Sequence, residues 1–133
     1  MSVVIPESVK DLLTTEKKAI AFLGLVKSDG TPQVTPIWFE YDGTHIIFNT
    51  ARGRVKDKIL HKHPVVALAI CDPANPYRYV QVTGRIVEES EEGGTDVIAA
   101  LAEKYTGQRV YNVAAGEVRV TYKVLLERTQ TNS

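Results

Sequence analysis

The chain contains a single cysteine, Cys71, so it cannot form a disulfide within itself. Small secreted proteins commonly depend on disulfides, whereas the reducing cytoplasm keeps thiols free, and we therefore expect a cytoplasmic protein. A net charge is also missing, because sixteen basic residues balance sixteen acidic ones. Without a global positive field, and with no apolar run near the ~20 residues that span a bilayer, we expect no nucleic-acid or membrane partner.

The usual signatures of metal and nucleotide sites are missing as well. The 133 residues contain no CxxC, HExxH, GxGxxG or GxxxxGK pattern. His61 and His63 lie two residues apart at the end of a predicted helix, where they point to different sides. No metal site is therefore predicted, and the sequence leaves the catalytic residues unassigned.

What the chain does contain is a β-rich pattern over one domain, residues 1–133. Apolar alternation and turn residues predict six strands, at residues 19–27, 33–41, 45–50, 65–71, 77–89 and 118–126. Helical spacing predicts a short helix within residues 1–15, a helix at 53–62 and a third helix capped by Thr95 or Asp96. The two prolines within residues 72–76 predict a loop, and residues 128–133 are expected to form a flexible tail.

Six strands with only three short helices do not suit a doubly wound parallel sheet, in which helices alternate with strands. Short turns such as Asp42-Gly43 join neighbouring strands as antiparallel hairpins. We therefore predict a mainly β fold, an antiparallel barrel with helices across its openings. Closure of the barrel would remove the exposed edges of such a sheet.

The strongest chemical signal is a basic segment at residues 49–58, where a strand runs into a helix. It carries four cations, Arg52, Arg54, Lys56 and Lys58, against one acid. A cation at a helix N-terminus opposes the helix dipole by roughly 0.3–1 kcal/mol, and a bound phosphate would resolve this conflict. Arg54 and Lys56 are the predicted phosphate ligands, with Arg52 and Lys58 facing solvent. A solvated basic helix face explains the charges about equally well.

Two further features allow both a binding and a structural interpretation. Pro36 cannot donate to a strand ladder, so it predicts an edge or a bulge with free backbone groups for a planar heterocycle, or only protection of the edge. Trp38 would then line the ring or belong to the core. Tyr77 and Tyr79 flank an arginine and either wall a flat ring or serve packing or a dimer interface.

Two stretches of the chain carry a recognisable family pattern. They are Asp29-Gly30-Thr31-Pro32-Gln33-Val34-Thr35-Pro36-Ile37-Trp38, which follows Phe22-Leu23-Gly24-Leu25, and Phe48-Asn49-Thr50-Ala51-Arg52-Gly53-Arg54-Val55-Lys56. Together they resemble the pyridoxamine-phosphate-oxidase-like split barrels that bind flavin mononucleotide (FMN). Asp72-Pro73, Asn75-Pro76-Tyr77-Arg78-Tyr79-Val80 and Gly84-Arg85 are similar to the branch that uses the deazaflavin coenzyme F-420 instead.

This resemblance implies a homodimeric split β-barrel with two equivalent cofactor sites at the subunit interface. It implies that the coenzyme phosphate is held by Thr50, Ala51, Gly53, Arg54 and Lys56. The tricyclic ring would lie along the backbone of Thr35, Pro36, Ile37 and Trp38, and Tyr77 and Tyr79 would approach from the second subunit. The chain lacks the arginine-led motif of classical pyridoxamine-phosphate oxidases before the site, so oxidation of pyridoxamine phosphate is not expected.

The expected activity is hydride transfer from reduced F-420 to a small conjugated acceptor, in a cleft that residues 107–116 help to shape. Three alternatives stay open at this point. The first is an FMN-dependent oxidoreductase on the same fold. The second is a carrier that binds a flavin or deazaflavin without turnover, and the third is an interaction module whose basic segment meets an acidic protein.

Overall fold

Residues 3–132 are described by the structure, a computed structural model, and they form one seven-stranded antiparallel sheet with short helices. A 3₁₀ helix, Glu7–Leu13, precedes the sheet. The strands are β1 (Ile20–Val26), β2 (Pro32–Ile37), β3 (Glu40–Tyr41), β4 (His45–Ala51), β5 (Val65–Asp72), β6 (Asn75–Ser90) and β7 (Arg119–Asn132). The α-helices are α1 (Val55–Lys62) and α2 (Gly94–Thr106). The predicted mainly β, antiparallel fold is confirmed.

The sheet has the order β2-β1-β5-β6-β7-β4-β3, and it curls into a half-barrel. The strand predicted at residues 33–41 is in fact two strands, β2 and β3, which form opposite edges of this sheet. Only Trp38 and Phe39 separate them. Three trans peptide steps span at most about 11 Å, so the two edges must come close to each other there. The short crossing therefore forces the curvature that a flat seven-stranded sheet would lack.

The core fills the concave side of the sheet. Along β1 and β5 every second side chain is buried, as expected for strands with one covered face. Phe39 and Phe48 are fully buried, and Phe48 stacks on Tyr122 with ring centroids 5.4 Å apart. Helix α1 places Ile59 and Leu60 against this core, and it ends before Pro64.

The convex side of the sheet is unusually apolar for a solvent-facing surface. Its exposed side chains on β1, β2 and β5 include Ile20, Phe22, Val26, Val34 and Val65, which are 37–66% exposed. Antiparallel sheets normally carry polar side chains on a solvated face. We call this set of five residues the outer apolar face.

The loop predicted at residues 72–76 is a tight hairpin turn. Asp72 pairs with Asn75, so only Pro73 and Ala74 lie outside the strands. The Asp72 carboxylate accepts the N–H of Ala74 at 2.8 Å and closes the turn. A register shift between Cys71 and Asp72 accommodates the prolines, which is why they do not prevent pairing here.

The prediction of a flexible tail at residues 128–133 is wrong for residues 128–132. Strand β7 continues to Asn132 and pairs with β6 as far as Tyr79. The long partner strand β6 supplies hydrogen bonds to these residues that local sequence does not reveal. Ser133 lies outside the described residues.

The helix boundaries also differ from the predictions. Helix α1 begins at Val55 with Arg54 as its N-cap, two residues after the predicted start. Helix α2 is capped by Gly93 in the left-handed conformation (φ 69°), with no side-chain cap from Thr95 or Asp96. A glycine there reaches a backbone geometry that other residues avoid, and this replaces the predicted cap. Over residues 3–132, no helix is long and apolar enough to cross a membrane.

Candidate functional site

A groove of about 370 Å³ opens between the two edges of the curled sheet, beside the N-terminus of α1. Its walls come from β2, β4, the crossing that follows β2, and helix α2. The lining residues are Ile20, Pro36, Ile37, Trp38, Asn49, Thr50, Arg54, Lys56, Ile98 and Tyr111. The groove is thus apolar towards the sheet edge and cationic at the helix N-terminus.

Six of the eleven predicted cofactor-binding residues line this groove, namely Pro36, Ile37, Trp38, Thr50, Arg54 and Lys56. Thr35, Ala51 and Gly53 are chain neighbours of lining residues and are not themselves in the lining. Tyr77 and Tyr79 lie elsewhere. The two quoted family stretches, with nine residues between them in sequence, therefore meet in one site.

A glycine turn leads from β4 into α1 and sets the direction of the helix. Gly53 has φ 87°, a left-handed backbone geometry that residues with a side chain rarely adopt. Its N–H donates to Oδ2 of Asp57 at 3.0 Å, so the helix carboxylate fastens the turn that precedes it. Because Asp57 is 3% exposed, this bond is shielded from solvent.

Asp57 is the acid of the basic segment, and it is fully engaged. Besides Gly53 it accepts hydrogen bonds from Arg52 at 2.9 Å and from the hydroxyl of Tyr122. Burial opposes the charged form, but the bonds from Tyr122, Gly53 and Arg52 together lower the pKa of Asp57. Burial and the contact with Asp57 raise the pKa of Tyr122, so the hydroxyl keeps its proton.

Arg52 does not face solvent, contrary to the prediction. Its guanidinium bonds Glu89 at 2.6 Å, Glu91 at 2.8 Å and Asp57 at 2.9 Å, and it lies 3.2 Å from Nε2 of His61. Asp57, His61 and Glu89 bring possible metal-ligand atoms within 4.8 Å of one another, but the Arg52 guanidinium contacts all three. These side chains anchor the start of α1 to β6. Lys58 is exposed on the helix, as predicted.

Arg54 and Lys56 form no ion pair with a carboxylate of the described residues, although both line the groove. Lys56 is half-buried. Burial and the positive charge of Arg54 lower its pKa, so the ammonium is unfavourably placed in the ligand-free chain. The first N–H groups of α1 also lack partners within the helix. An anion in the groove would pair with the two cations, favour the charged form of Lys56 and accept hydrogen bonds from the first N–H groups of α1.

The edge position of β2 agrees with the prediction made from Pro36. The strand pairs with β1 alone, and Pro36 lies opposite Phe22. Backbone groups on the other edge of β2 thus have no ladder partner among residues 3–132. The buried hydroxyl of Thr35 also has no hydrogen-bond partner among residues 3–132. Such an atom costs about 1–3 kcal/mol unless a ligand or water satisfies it.

The Tyr77–Tyr79 segment stands apart from the groove of its own chain. Tyr79 pairs with Cys71, which in turn pairs with Ile20 at the groove wall. Two strand spacings correspond to about 10 Å. Arg78 is not available as a ligand-binding cation, because it donates to Asp11 at 2.6 Å, to Asp72 at 3.0 Å and to the backbone of the 3₁₀ helix. Tyr77 is 80% exposed.

Four lining residues were not assigned to the site from sequence: Ile20, Asn49, Ile98 and Tyr111. Asn49 lies in the quoted family stretch, and its side chain bonds Gly94, Thr121 and Arg119. Tyr111 comes from the segment expected to shape the cleft, and its ring lies 5.0 Å from the guanidinium carbon of Arg119. The local sequence carries no signal for Ile20 or Ile98, since both resemble ordinary core positions.

Comparison with known proteins agrees with this geometry. A family model described as pyridoxamine 5'-phosphate oxidase matches residues 5–130. A solved structure named F420 reductase is 31% identical over 95% of this chain and 98% of its own, with a TM-score of 0.85. No curated protein matches the chain.

More distant structures share the fold alone. HupZ of group A Streptococcus is 18% identical over 96% of this chain and 94% of its own, with a TM-score of 0.68. A conserved hypothetical protein of Mycobacterium tuberculosis is 22% identical over 98% and 86%, also with a TM-score of 0.68. With a family model that covers nearly its whole length, the chain belongs to the pyridoxamine 5'-phosphate oxidase family.

Proposed function

We propose that this protein is an oxidoreductase that binds the deazaflavin coenzyme F-420 in the groove and uses it to reduce a small conjugated acceptor. The observation that carries the proposal is the pair of cations Arg54 and Lys56, which line the groove and form no ion pair with a carboxylate of residues 3–132. The name of the 31% identical structure, F420 reductase, supports deazaflavin as the coenzyme.

The phosphate end of the ligand is assigned to the start of α1. Arg54 and Lys56 supply two positive charges, and the first turn of the helix supplies N–H donors. Thr50 adds a hydroxyl at the end of β4, while Ala51 and Gly53 shape the turn through their backbone. A phosphate placed here would favour the charged form of Lys56 and so raise its lowered pKa.

The ring end is assigned to the edge of β2. Pro36, Ile37 and Trp38 offer a flat apolar wall with free backbone groups beside it, and Ile98 faces it from α2. The ring carbonyls and ring nitrogens of a flavin or deazaflavin need hydrogen-bond partners along one rim, which an open strand edge can provide. Thr35 is assigned to the same polar rim through its backbone, since its side chain lies outside the groove lining.

A reduced deazaflavin supplies the hydride when it is bound. The protein anchors the phosphate, orients the ring and keeps water from its apolar face. Tyr111 borders the groove on the side of the α2–β7 connection, so that side is assigned to the acceptor. None of the groove residues is assigned as the proton donor.

We propose a homodimer joined through the outer apolar face. Phe22 on β1 and Val65 on β5 are exposed. Strands inside a sheet do not normally expose such large apolar side chains to solvent. A second copy packed on this face would bury them, as in other interfaces with an apolar centre. Tyr79 and Tyr77 lie at one end of the same face, where they would reach the groove of the partner.

FMN is the second candidate coenzyme, because the phosphate site and the ring wall would serve either molecule. A carrier that binds the coenzyme without turnover is the third candidate. The two coenzymes differ at the position equivalent to N5 of FMN, which is a carbon in a deazaflavin. Only binding and turnover measurements distinguish these possibilities.

The decisive experiment is a fluorescence titration of the purified protein with F-420 and with FMN in parallel. The Arg54→Ala/Lys56→Ala variant should lose affinity by about tenfold or more for each buried charge-assisted bond. The matched control is Lys58→Ala/Lys62→Ala, which removes two charges from the same helix outside the groove.

Tighter binding of F-420 than FMN, lost in the first variant and kept in the control, is the expected result. Tighter binding of FMN would move the assignment to a flavin enzyme. Equal loss in both variants would contradict the phosphate site. If none of a panel of enone and quinone acceptors oxidises the bound, reduced coenzyme, the protein is a carrier.

A further inference from the structure

Trp38 lies against a second aromatic ring that sequence analysis did not connect with it. Tyr105, near the end of α2, stacks on Trp38 with the ring centroids 5.6 Å apart and the planes 7° from parallel. Trp38 lines the groove, whereas Tyr105 stands behind it, outside the lining. The face of Trp38 that meets the groove is therefore backed by a rigid ring.

The hydroxyl of Tyr105 joins the two chain segments that border this wall. It donates to the carbonyl of Ala19 at 2.8 Å and accepts the N–H of Phe39 at 3.4 Å. Ala19 precedes Ile20, and Phe39 follows Trp38, so each bond fixes the backbone next to a lining residue. Burial raises the pKa of Tyr105 to about 12, and the hydroxyl stays a donor at neutral pH.

The neighbouring Lys104 also binds the two-residue crossing between β2 and β3. Its buried ammonium donates to the carbonyl of Phe39 at 2.7 Å and to Glu40 at 3.0 Å. Both backbone polar groups of Phe39 are thus held by α2. Residues 38 and 39 belong to no strand, so the sheet does not fix their conformation.

We propose that Tyr105 is a positioning residue for the ring-binding wall. Its ring sets the orientation of Trp38, and its hydroxyl holds the Ala19–Ile20 and Trp38–Phe39 backbones in place beside the groove. The identity of that heterocycle rests on the proposed function, whereas the orientation of Trp38 does not. A preorganised wall raises affinity because less motion is lost on binding.

The test uses Trp38 as its own probe, since it is the one tryptophan of the sequence. Iodide quenching of its fluorescence is measured together with the affinity for F-420 and FMN. Three variants are compared: Tyr105→Phe, which keeps the stack and removes the hydroxyl; Tyr105→Leu, which removes both; and Leu101→Ala. Leu101 is buried on the same helix and outside the groove, so its variant reports general destabilisation.

In Tyr105→Phe we expect unchanged quenching and an affinity about three- to tenfold weaker, the scale of one hydrogen bond. In Tyr105→Leu we expect more efficient quenching and an affinity weaker by more than about tenfold. Leu101→Ala should change neither quantity at a temperature where circular dichroism shows every variant folded.

Unchanged quenching in Tyr105→Leu would overturn the positioning role, as would an equal loss of affinity in Leu101→Ala. Unchanged affinity in Tyr105→Phe would overturn the part assigned to the hydroxyl. If the wild-type protein binds neither coenzyme, the proposed function fails, and the quenching comparison still decides whether Tyr105 orients Trp38.

Discussion

The buried carboxylate of Asp57 accepts a hydrogen bond from the N–H of Gly53, which has φ 87°. This contact fixes the turn between β4 and α1. Asp57 is the acid of the basic segment, and its carboxylate also accepts hydrogen bonds from Arg52 and Tyr122. Asp57 therefore forms no ion pair with Arg54 or Lys56, the two cations that line the groove.

Replacing the Asp57 carboxylate by an amide should destabilise the fold. Asp57→Asn removes a buried negative charge that accepts hydrogen bonds from Arg52 and Tyr122. We therefore expect a loss of about 1–3 kcal/mol in the free energy of unfolding. Urea denaturation measures it. Asp96→Asn, at an exposed position of α2, is the control and should stay within about 0.5 kcal/mol of wild type. A similar loss in both variants would contradict the role of Asp57.

The affinity for the phosphate-bearing ligand should fall as pH rises. Burial and Arg54 lower the pKa of Lys56 in the ligand-free protein, below the ordinary 10.5. A bound phosphate favours the ammonium, so the affinity weakens as pH increases through that lowered pKa. Titrations from neutral pH upwards measure this. Lys56→Arg should flatten the dependence, because a guanidinium stays charged throughout, and an unchanged profile in that variant would contradict the assignment.

Gly84 should not tolerate a side chain. A Cβ atom there would lie 2.2 Å from the carbonyl oxygen of Leu125, where β6 approaches β7 at a register shift. Gly84→Ala should cost about 1–3 kcal/mol or more in unfolding free energy, since backbone must move. Gly24→Ala is the matched strand control, because its nearest atom would be 3.4 Å away. Equal thermal stability of the two variants would contradict this prediction.

Acid should release the 3₁₀ helix from the β5–β6 hairpin. The hydrogen bonds from Arg78 hold the pKa of Asp11 at about 2, below its ordinary 3.8. The contribution of this pair is complete above about pH 4 and is lost as pH falls towards 2. Asp11→Asn should therefore flatten the stability profile in that window, by a small amount because the pair is partly exposed. Glu7→Gln, an exposed change on the same helix, should leave the profile as in wild type.

Charge on the outer apolar face should separate the proposed homodimer. Phe22 is 39% exposed on β1, and Phe22→Asp would place a carboxylate at the centre of the interface. Sedimentation should then show monomers at concentrations where the wild type is dimeric. Val87→Asp, a similar change at 45% exposure beyond the end of β5, should remain dimeric. A monomeric wild type would remove the proposal of a dimer.

Local patterns in the sequence predicted the features that depend on neighbouring residues. Gly53 has the positive φ that its turn requires, and the Asp42-Gly43 hairpin forms as expected. Pro36 marks an edge strand, since a missing N–H is tolerated only there or at a bulge. The placing of Pro36, Arg54 and Lys56 in one groove followed from the family pattern.

Contacts between distant parts of the chain decided the rest. Arg52 looked like a solvent-facing cation, but it forms ion pairs with Glu89 from β6 and with Glu91 just after that strand. Tyr105 and Trp38, 67 positions apart, meet because α2 packs across the crossing between the sheet edges. The sequence by itself determined the strands, the turns and the cationic start of α1, because these follow from backbone preferences and local charge. Only the tertiary structure decided which charges form ion pairs and which line the groove, because strand order brings together residues that local sequence cannot relate.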